Sequence, residues 1–518
     1  MIRKYEVSAQ GIKQADIDAL LVGVYRGEVV DLAPGATELS TEAGGVLAQQ
    51  LQALNFKGEK GETLLLPAAT LGNDLRCRQI VVVGLGEREK VDLKVLRHAS
   101  AAGVRAAKGV RSIGTTLWAA ADQGQKNAPD AIRAVVEGAG LGSYRFTKYK
   151  TRRDEEKSAV ELERLVLLGC AIDRAAEAIE QGRTVVEAVA WARDMVNEPA
   201  SGKAPLELAQ QIKEKLVPSG VSCEIWEVDR IEQEGLGGVL GVGKGSVNPP
   251  CLLRAHYSPG NPSGGGSKRV CLVGKGVVFD SGGLSLKPAE GMETMKTDMS
   301  GGAAVAATMW ALPRLRIDAE VFGFVPLVEN LPSGSSTKPG DVLRFRNGKT
   351  AEVLNTDAEG RLIMADALAL SCELRPDCVI DLATLTGACM VALGTKIFGV
   401  MGNDQGLVSR ILEAAEMAGE RAWQLPLPDD YKKQLESEVA DVKNIGSRYG
   451  GALTAGLFLA EFVSEGIPWA HLDIAGPARA EADEYEVSKG GTGVGVRTLL
   501  EFLKEPTFRG PSGLRDEA

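Results

Sequence analysis

Short runs of apolar, mostly β-branched residues alternate along this chain with longer segments whose apolar positions recur every three or four. Residues 20–24 (Leu-Leu-Val-Gly-Val) and 80–84 (Ile-Val-Val-Val-Gly) carry no polar position. That is the pattern of parallel strands covered on both faces. Ala- and Arg-rich stretches of helical period, such as 95–109, lie between and after them. The spacing predicts an N-terminal α/β domain over 1–160. Residues 144–157 are polar and strongly charged, and a helical pattern then runs over 161–197, predicting a connecting helix. Beyond it, 269–273, 321–327, 378–382 and 469–474 read as strands, interleaved with helical stretches at 360–373 and 452–464. This predicts a larger domain over 198–504 with a mixed, largely parallel sheet flanked by helices. The last residues, 505–518, hold Pro, Gly and charges and are expected to be a flexible tail.

Composition narrows the chemistry. Glycine supplies 62 of 518 residues, about 12% against an average near 7%, without a collagen-like period. The net charge is −10, and it is uneven: residues 1–165 carry 24 Lys/Arg against 21 Asp/Glu, a net +3, leaving −13 for the rest. There are only three histidines, His98, His256 and His471, far apart in sequence. Any metal or acid–base site must therefore lean on carboxylates and lysines. The eight cysteines form no C-x-x-C pair and mostly sit in apolar runs, which predicts reduced thiols and a cytoplasmic protein. The N-terminus lacks the apolar core of a signal peptide. Uncharged residues 382–395 fall short of the roughly 20 that span a bilayer, so no membrane segment is expected.

The glycines concentrate where the interesting side chains lie. Residues 235–302 contain 17 of them, along with Val273-Gly-Lys-Gly276, Phe279-Asp-Ser-Gly-Gly283, Lys287 and Met295-Lys-Thr-Asp-Met-Ser-Gly-Gly302. Downstream comes Asn355-Thr-Asp-Ala-Glu-Gly-Arg-Leu362. Taken singly, such fragments are ordinary turn and helix-cap sequences. Together they present Asp280, Asp298, Asp357 and Glu359, with Asp280 and Asp357 each following an apolar, strand-like run (277–279 and 351–354). In open α/β sheets ligands gather at the carboxyl ends of strands. Carboxylates converging there repel one another unless divalent cations compensate. Oxygen donors without histidine suit Mn²⁺, Mg²⁺ or Zn²⁺. An extended backbone would point Asp357 and Glu359 to one side, with Arg361 near the same cavity.

These blocks, together with Asp381-Leu-Ala-Thr-Leu-Thr-Gly387 and His471-Leu-Asp-Ile-Ala-Gly476, resemble the leucyl aminopeptidases, the cytosol aminopeptidase family of two-metal exopeptidases. Order and spacing match over essentially the whole second domain. The resemblance implies one metal held by Lys275, Asp280, Asp298 and Glu359. It implies a second held by Asp280, Asp357 and Glu359 with the backbone carbonyl of Asp357. Mn²⁺ is the expected ion, with Zn²⁺ the other choice. Lys275 would coordinate as the neutral amine, its pKa lowered by the adjacent dications. A hydroxide bridging the metals would attack the scissile carbonyl, Lys287 would stabilise the oxyanion, and Arg361 would hold a bicarbonate ion as general base. Met295, Asn355, Thr384, Leu385 and Gly387 would bind the substrate side chain in an apolar pocket preferring Leu within broad specificity. The implied assembly is a homohexamer, a dimer of trimers, acting on peptides. One departure stands out: where relatives often carry an aromatic, this chain has Arg479, followed by an acidic stretch over 480–489.

Other readings are weaker. Gly238 to Lys244 nearly fits a P-loop, but Gly245 stands where Ser or Thr is required, and Gly84-Leu-Gly86 lacks the third glycine of a dinucleotide fingerprint. His471, in a strand beside Asp473, reads as structural. The basic segment 145–153 (Arg145, Lys148, Lys150, Arg152, Arg153), interleaved with Tyr144, Phe146 and Tyr149, offers a nucleic-acid alternative, a DNA-binding regulatory role. The acidic balance of the chain favours a solvated linker or a subunit contact there instead.

Overall fold

A computed structural model describes residues 1–28, 30–72, 75–121, 128–151, 161–260 and 268–504. The chain forms two compact units: Met1–Ala190 with Glu481–Lys489, and Trp191–Ala480 with the chain from Gly490 onward. Among the described residues no helix is long and apolar enough to cross a membrane. All eight cysteines are free thiols.

The first unit is built on a seven-stranded sheet. Ala19–Tyr25 lies at its centre, parallel to Gln79–Gly86 on one side and Ser112–Thr115 on the other. The all-apolar runs behave as a doubly covered sheet requires. Leu21, Val81 and Val83 face one core, shared with the helices Leu93–Ala106 and Ala128–Gly142. Leu20, Val22, Ile80 and Val82 face the other. One expectation fails here. Residues Arg164–Leu168 form not a helix but a strand, parallel to both Lys4–Ser8 and Ser112–Thr115. The helix begins only at Ala175 and ends at Asn197. Gly169, at φ +61°, takes a left-handed turn that ends the strand without steric cost.

The segment Glu481–Lys489 belongs to this first unit, although it is encoded late in the chain. Arg105 holds it with four donors: Nε to Tyr485 O (2.6 Å), one Nη to Asp483 (2.7 Å), the other to Val487 O and Ser488 Oγ (both 3.1 Å). Tyr485 stacks on His98 at 4.5 Å between ring centres.

The second unit carries a nine-stranded mixed sheet. Its centre is parallel: Trp469–Asp473, Cys378–Ala383, Lys268–Gly274 and Ala319–Asn330 lie side by side. Antiparallel strands flank them on either side, among them Cys251–Tyr257 and Phe398–Gly402. Helices Ser300–Leu315 and Gly360–Cys372 are almost wholly buried. The short strand Gly276–Asp280 continues the line of Lys268–Gly274 and pairs with the far end of Ala319–Asn330. The run around 351–354 does not join this sheet. Thr350–Glu352 belongs to a separate three-stranded sheet with Val342–Arg344 and Val442–Lys443.

Candidate active site

The site lies at the carboxyl end of the parallel strands. Lys275 sits between two strands; its N–H donates to Leu382 O and its carbonyl accepts from Gly302 N. Crowding forces glycine at 301, where a Cβ would meet Leu382 O, and a Cβ at Gly360 would lie 2.6 Å from Lys275 Cε. Glycine at these positions lets helix backbone press against the lysine. Asp280 ends the strand Gly276–Asp280, and Asp298 follows the turn Met295–Thr297. Asp357 and Glu359 arrive through a turn, with Glu359 in helical conformation at the start of Gly360–Cys372. Their convergence thus comes from a tight turn off a small sheet, not from the extended backbone the spacing suggested.

The ligating oxygens of Asp280, Asp357 and Glu359 lie within 4.8 Å of one another. Lys275 Nζ is 2.8 Å from Asp298 Oδ2 and 2.9 Å from Glu359 Oε1. Lys287 Nζ is 2.8 Å from Asp280 Oδ2 and 2.5 Å from Asp357 Oδ1. Asp280, Asp298 and Glu359 are buried, while Asp357 remains partly exposed. Burial and the neighbouring Glu359 raise Asp280, and burial raises Asp298 and Asp357. Glu359 Oε2 is buried without a hydrogen-bond partner. An unpartnered carboxylate oxygen among crowded acids is the donor set a hard divalent cation requires. The residues therefore fit a metal centre.

The protein's own charges do not make Lys275 the neutral amine, an expectation that rests on adjacent dications. Burial works to lower its pKa, but Asp298, Glu359 and Asp280 outweigh burial and hold it raised, as an ammonium. Lys287 is raised in the same way by Asp280 and Glu359. With protein charges alone, the carboxylates keep both lysines positive; a neutral Lys275 needs positive charge supplied from elsewhere.

Arg361 is buried in the first turn of its helix, Nη1 donating to Asn444 O (2.8 Å), with Nε unpartnered. Burial lowers its guanidinium to about 10, with Glu359 and Asp473 opposing, so it stays charged at neutral pH. Thr384 joins the cluster directly: its Oγ1 donates to Asp298 Oδ1 (2.7 Å) and its carbonyl accepts from Lys275 Nζ (3.1 Å). Asn355 turns its side chain back onto Asp357 N (2.8 Å) and is braced by Asn444. Met295 and Leu385 are half-buried and Gly387 exposed, none touching the carboxylates through a hydrogen bond.

Several supporting residues escaped the sequence reading. Asn330, buried at the end of its strand, donates Nδ2 to Asp280 Oδ1 (2.8 Å) and to Thr356 O (3.0 Å), tying two ligand loops together. Lys203, fully buried, donates to Met195 O, Val196 O and Lys296 O and so fixes the turn that presents Asp298. A polar residue inside an apolar strand, as in Leu327-Val-Glu-Asn330, is the signal that could have found the first. Of the basic segment, Arg152 and Arg153 lie outside the described residues, as does the tail 505–518. Arg145 donates to the carbonyls of Gly142 and Tyr144.

Comparison with known proteins agrees with this geometry. Residues 190–500 match the cytosol aminopeptidase family, catalytic domain, and residues 21–153 match its N-terminal domain. A probable cytosol aminopeptidase of Aquifex aeolicus is 41% identical over 505 residues, covering 97% of this chain and 99% of that one. Its counterpart in Streptomyces avermitilis is 43% identical over 512 residues, covering 96% and 97%. Among solved structures, the bottromycin maturation enzyme BotP in complex with Mn superposes with a TM-score of 0.83 at 37% identity, covering 95% of this chain and 99% of that one. A tomato leucine aminopeptidase mutant superposes with a TM-score of 0.85 at 32% identity, covering 97% and 96%. The chain thus belongs to the cytosol aminopeptidase family and is an aminopeptidase, a hydrolase of peptides.

Proposed function

We propose that this enzyme removes N-terminal residues from peptides in a metal-dependent reaction, with leucine and other apolar residues preferred. The observation that carries the proposal is the meeting of Asp280, Asp357 and Glu359 within 4.8 Å, beside the side chains of Lys275 and Lys287. Lys275, as the neutral amine, would hold one cation together with Asp280, Asp298 and Glu359; Asp280, Asp357, Glu359 and the Asp357 carbonyl would hold the other. Mn²⁺ is the ion of choice for such oxygen donors, and the Mn in BotP supports it; Zn²⁺ is the alternative. Two divalent cations bound there supply Lewis acidity and acidify water near neutral pH.

The chain's own groups do the rest. Lys287 stays charged and stabilises negative charge developing on the scissile carbonyl oxygen. Asp298, one oxygen fixed by Thr384 Oγ1, accepts from the substrate's free amino group, which confines cleavage to the N-terminal bond. Arg361, charged and with an unpartnered Nε, holds bicarbonate as the general base. Met295, Asn355, Thr384, Leu385 and Gly387 bind the side chain. The working form is a cytoplasmic homohexamer, a dimer of trimers.

Hydrolysis of a leucine anilide tests the reading. Activity should vanish on chelation, return with Mn²⁺, and be lost in Asp357→Ala and Glu359→Ala; full activity in either variant would sink it. Sedimentation velocity tests the assembly, with a hexamer expected and a monomer refuting it.

A further inference from the structure

The loop Thr384–Thr386 carries two of the residues proposed to bind the substrate side chain, yet it lies just beyond the end of the strand Cys378–Ala383 and has no sheet partners of its own. Its shape is set by one fully buried carboxylate. Asp473 lies opposite Ala383 in the sheet register, where the chain leaves the strand. Its Oδ1 accepts from Leu385 N (3.2 Å), Thr386 N (3.4 Å) and Ala475 N (3.2 Å), and its Oδ2 accepts from Thr386 Oγ1 (2.7 Å). The same Thr386 hydroxyl accepts from Cys389 N (3.0 Å), capping the helix Gly387–Leu393. One end of the loop is fixed separately, through Thr384, to Asp298 and Lys275.

A bare carboxylate in this position would be costly. His471, two residues earlier on the same face of the strand, is also fully buried. It pairs through Nδ1 with Asp381 (2.6 Å), whose other oxygen accepts from Trp469 Nε1 (2.7 Å). A buried polar network beneath the sheet end, in which only His471 Nε2 lacks a partner, therefore backs the pocket loop, and hydrogen-bonded networks of this kind favour one conformation.

We propose that Asp473 is a positioning residue for substrate selection: it holds Leu385 and Thr386 in the one loop conformation that fits an apolar side chain, with the His471–Asp381–Trp469 network behind it. The proposal rests on the reading of Leu385 as a pocket residue given above. The Thr386 hydroxyl has one proton, given to Asp473 Oδ2, and two lone pairs, one of them taken by Cys389 N. In Asp473→Asn the amide either turns its N–H groups onto the backbone N–H groups of 385, 386 and 475 and loses those bonds, or turns them onto the hydroxyl, whose proton then loses its acceptor.

The test is the ratio of kcat/KM for leucyl over alanyl anilides, measured on the full-length Mn²⁺-loaded enzyme. One or a few methylenes in an apolar pocket are worth roughly 10- to 200-fold in discrimination, so a loosened loop should lower the ratio about tenfold in Asp473→Asn, mostly through KM for the leucyl substrate. Mn²⁺ content should stay unchanged. A purely structural role would lower both substrates by the same factor and leave the ratio intact, and that result overturns the proposal. If Asp473→Asn does not fold, Thr386→Val should lower the ratio and Thr386→Ser, which keeps the hydroxyl, should restore it; equal ratios in the two overturn it. Leu385→Ala separates the two readings. Should it leave the ratio unchanged, the pocket assignment fails; should it shift the ratio while Asp473→Asn and Thr386→Val do not, the positioning role alone fails.

Discussion

Asn330 offers the sharpest test of how the carboxylates are held. In Asn330→Ala two hydrogen bonds disappear, one to the ionised Asp280 at 2.8 Å and one to the Thr356 carbonyl at 3.0 Å. A bond to a charged group is worth about 1.5–3 kcal/mol and a neutral one about 1, so roughly 2–4 kcal/mol of local organisation is at stake. Asp280 keeps only Gly282 N and Lys287 as partners, and Thr356 loses one of the ties between the loop at 280–287 and the loop at 355–359. Outer partners of metal ligands typically contribute 10–100-fold in affinity, about 1.4–2.7 kcal/mol, consistent with part of that organisation being spent at the metal. Calorimetric titration of chelator-treated protein with Mn²⁺ should thus show a 10–100-fold weaker binding in Asn330→Ala. Affinity within twofold of the unsubstituted chain would refute the reasoning, since Asp280 would then be held by the strand alone.

Two further outcomes follow from buried cations. Burial and Lys296 pull Lys203 down to about 7 from its ordinary 10.5, so between those pH values the unfolded chain holds a proton that the folded chain has released. Stability should rise as pH climbs from about 7 towards 10.5, by at most about 5 kcal/mol; Lys203→Met should flatten that rise in urea unfolding measured across the range, and an unchanged slope refutes it. Arg105→Ala removes all four donors that hold Glu481–Lys489, a loss of about 2–4 kcal/mol; limited proteolysis should then cleave within 481–489 faster, and equal rates refute the role of the clamp.

The chain made some of this structure legible and hid the rest for physical reasons. Strands such as Ala19–Tyr25 are apolar on both faces because both faces are covered, and that pattern has no helical counterpart at its length. Arg164–Leu168 is hidden because four apolar residues (165–168) just before a long amphipathic helix fit the helical period equally well; only pairing with Lys4–Ser8, far away in sequence, decides the matter. The same division runs through the site. Lys275, Asp280, Asp298, Asp357 and Glu359 sit in glycine-rich blocks whose spacing is visible along the chain. Asn330 and Lys203 act across the fold, each from a segment contributing one side chain to the site, and such a residue leaves no spacing to read; Asp473, two residues after His471, leaves only a short one. Their mark is a different one: Asp381, His471 and Asp473 are polar residues in strands that are otherwise apolar, and all three are fully buried. Such residues are costly unless partnered, so each points to a partner that the linear sequence does not name.

Lys275 ties these two kinds of residue together. Four acids (Asp280, Asp298, Asp357, Glu359) and two lysines (Lys275, Lys287) share a largely buried cluster in which the acids outnumber the bases by two. The lysines occupy the very oxygens a cation would need: Lys275 takes Asp298 Oδ2 and Glu359 Oε1, and Lys287 takes Asp280 Oδ2 and Asp357 Oδ1. Cations and lysine protons are therefore alternatives for one set of donors, and occupancy by one disfavours the other. The two lysines are not equivalent in this exchange. Lys287 has a partly open side chain, 17% exposed, that reaches solvent. Lys275, at 4% exposed, has no such opening, and Gly360 lies against its side chain. Burial therefore separates two lysines that share one set of carboxylates: Lys275 is enclosed, while Lys287 reaches solvent.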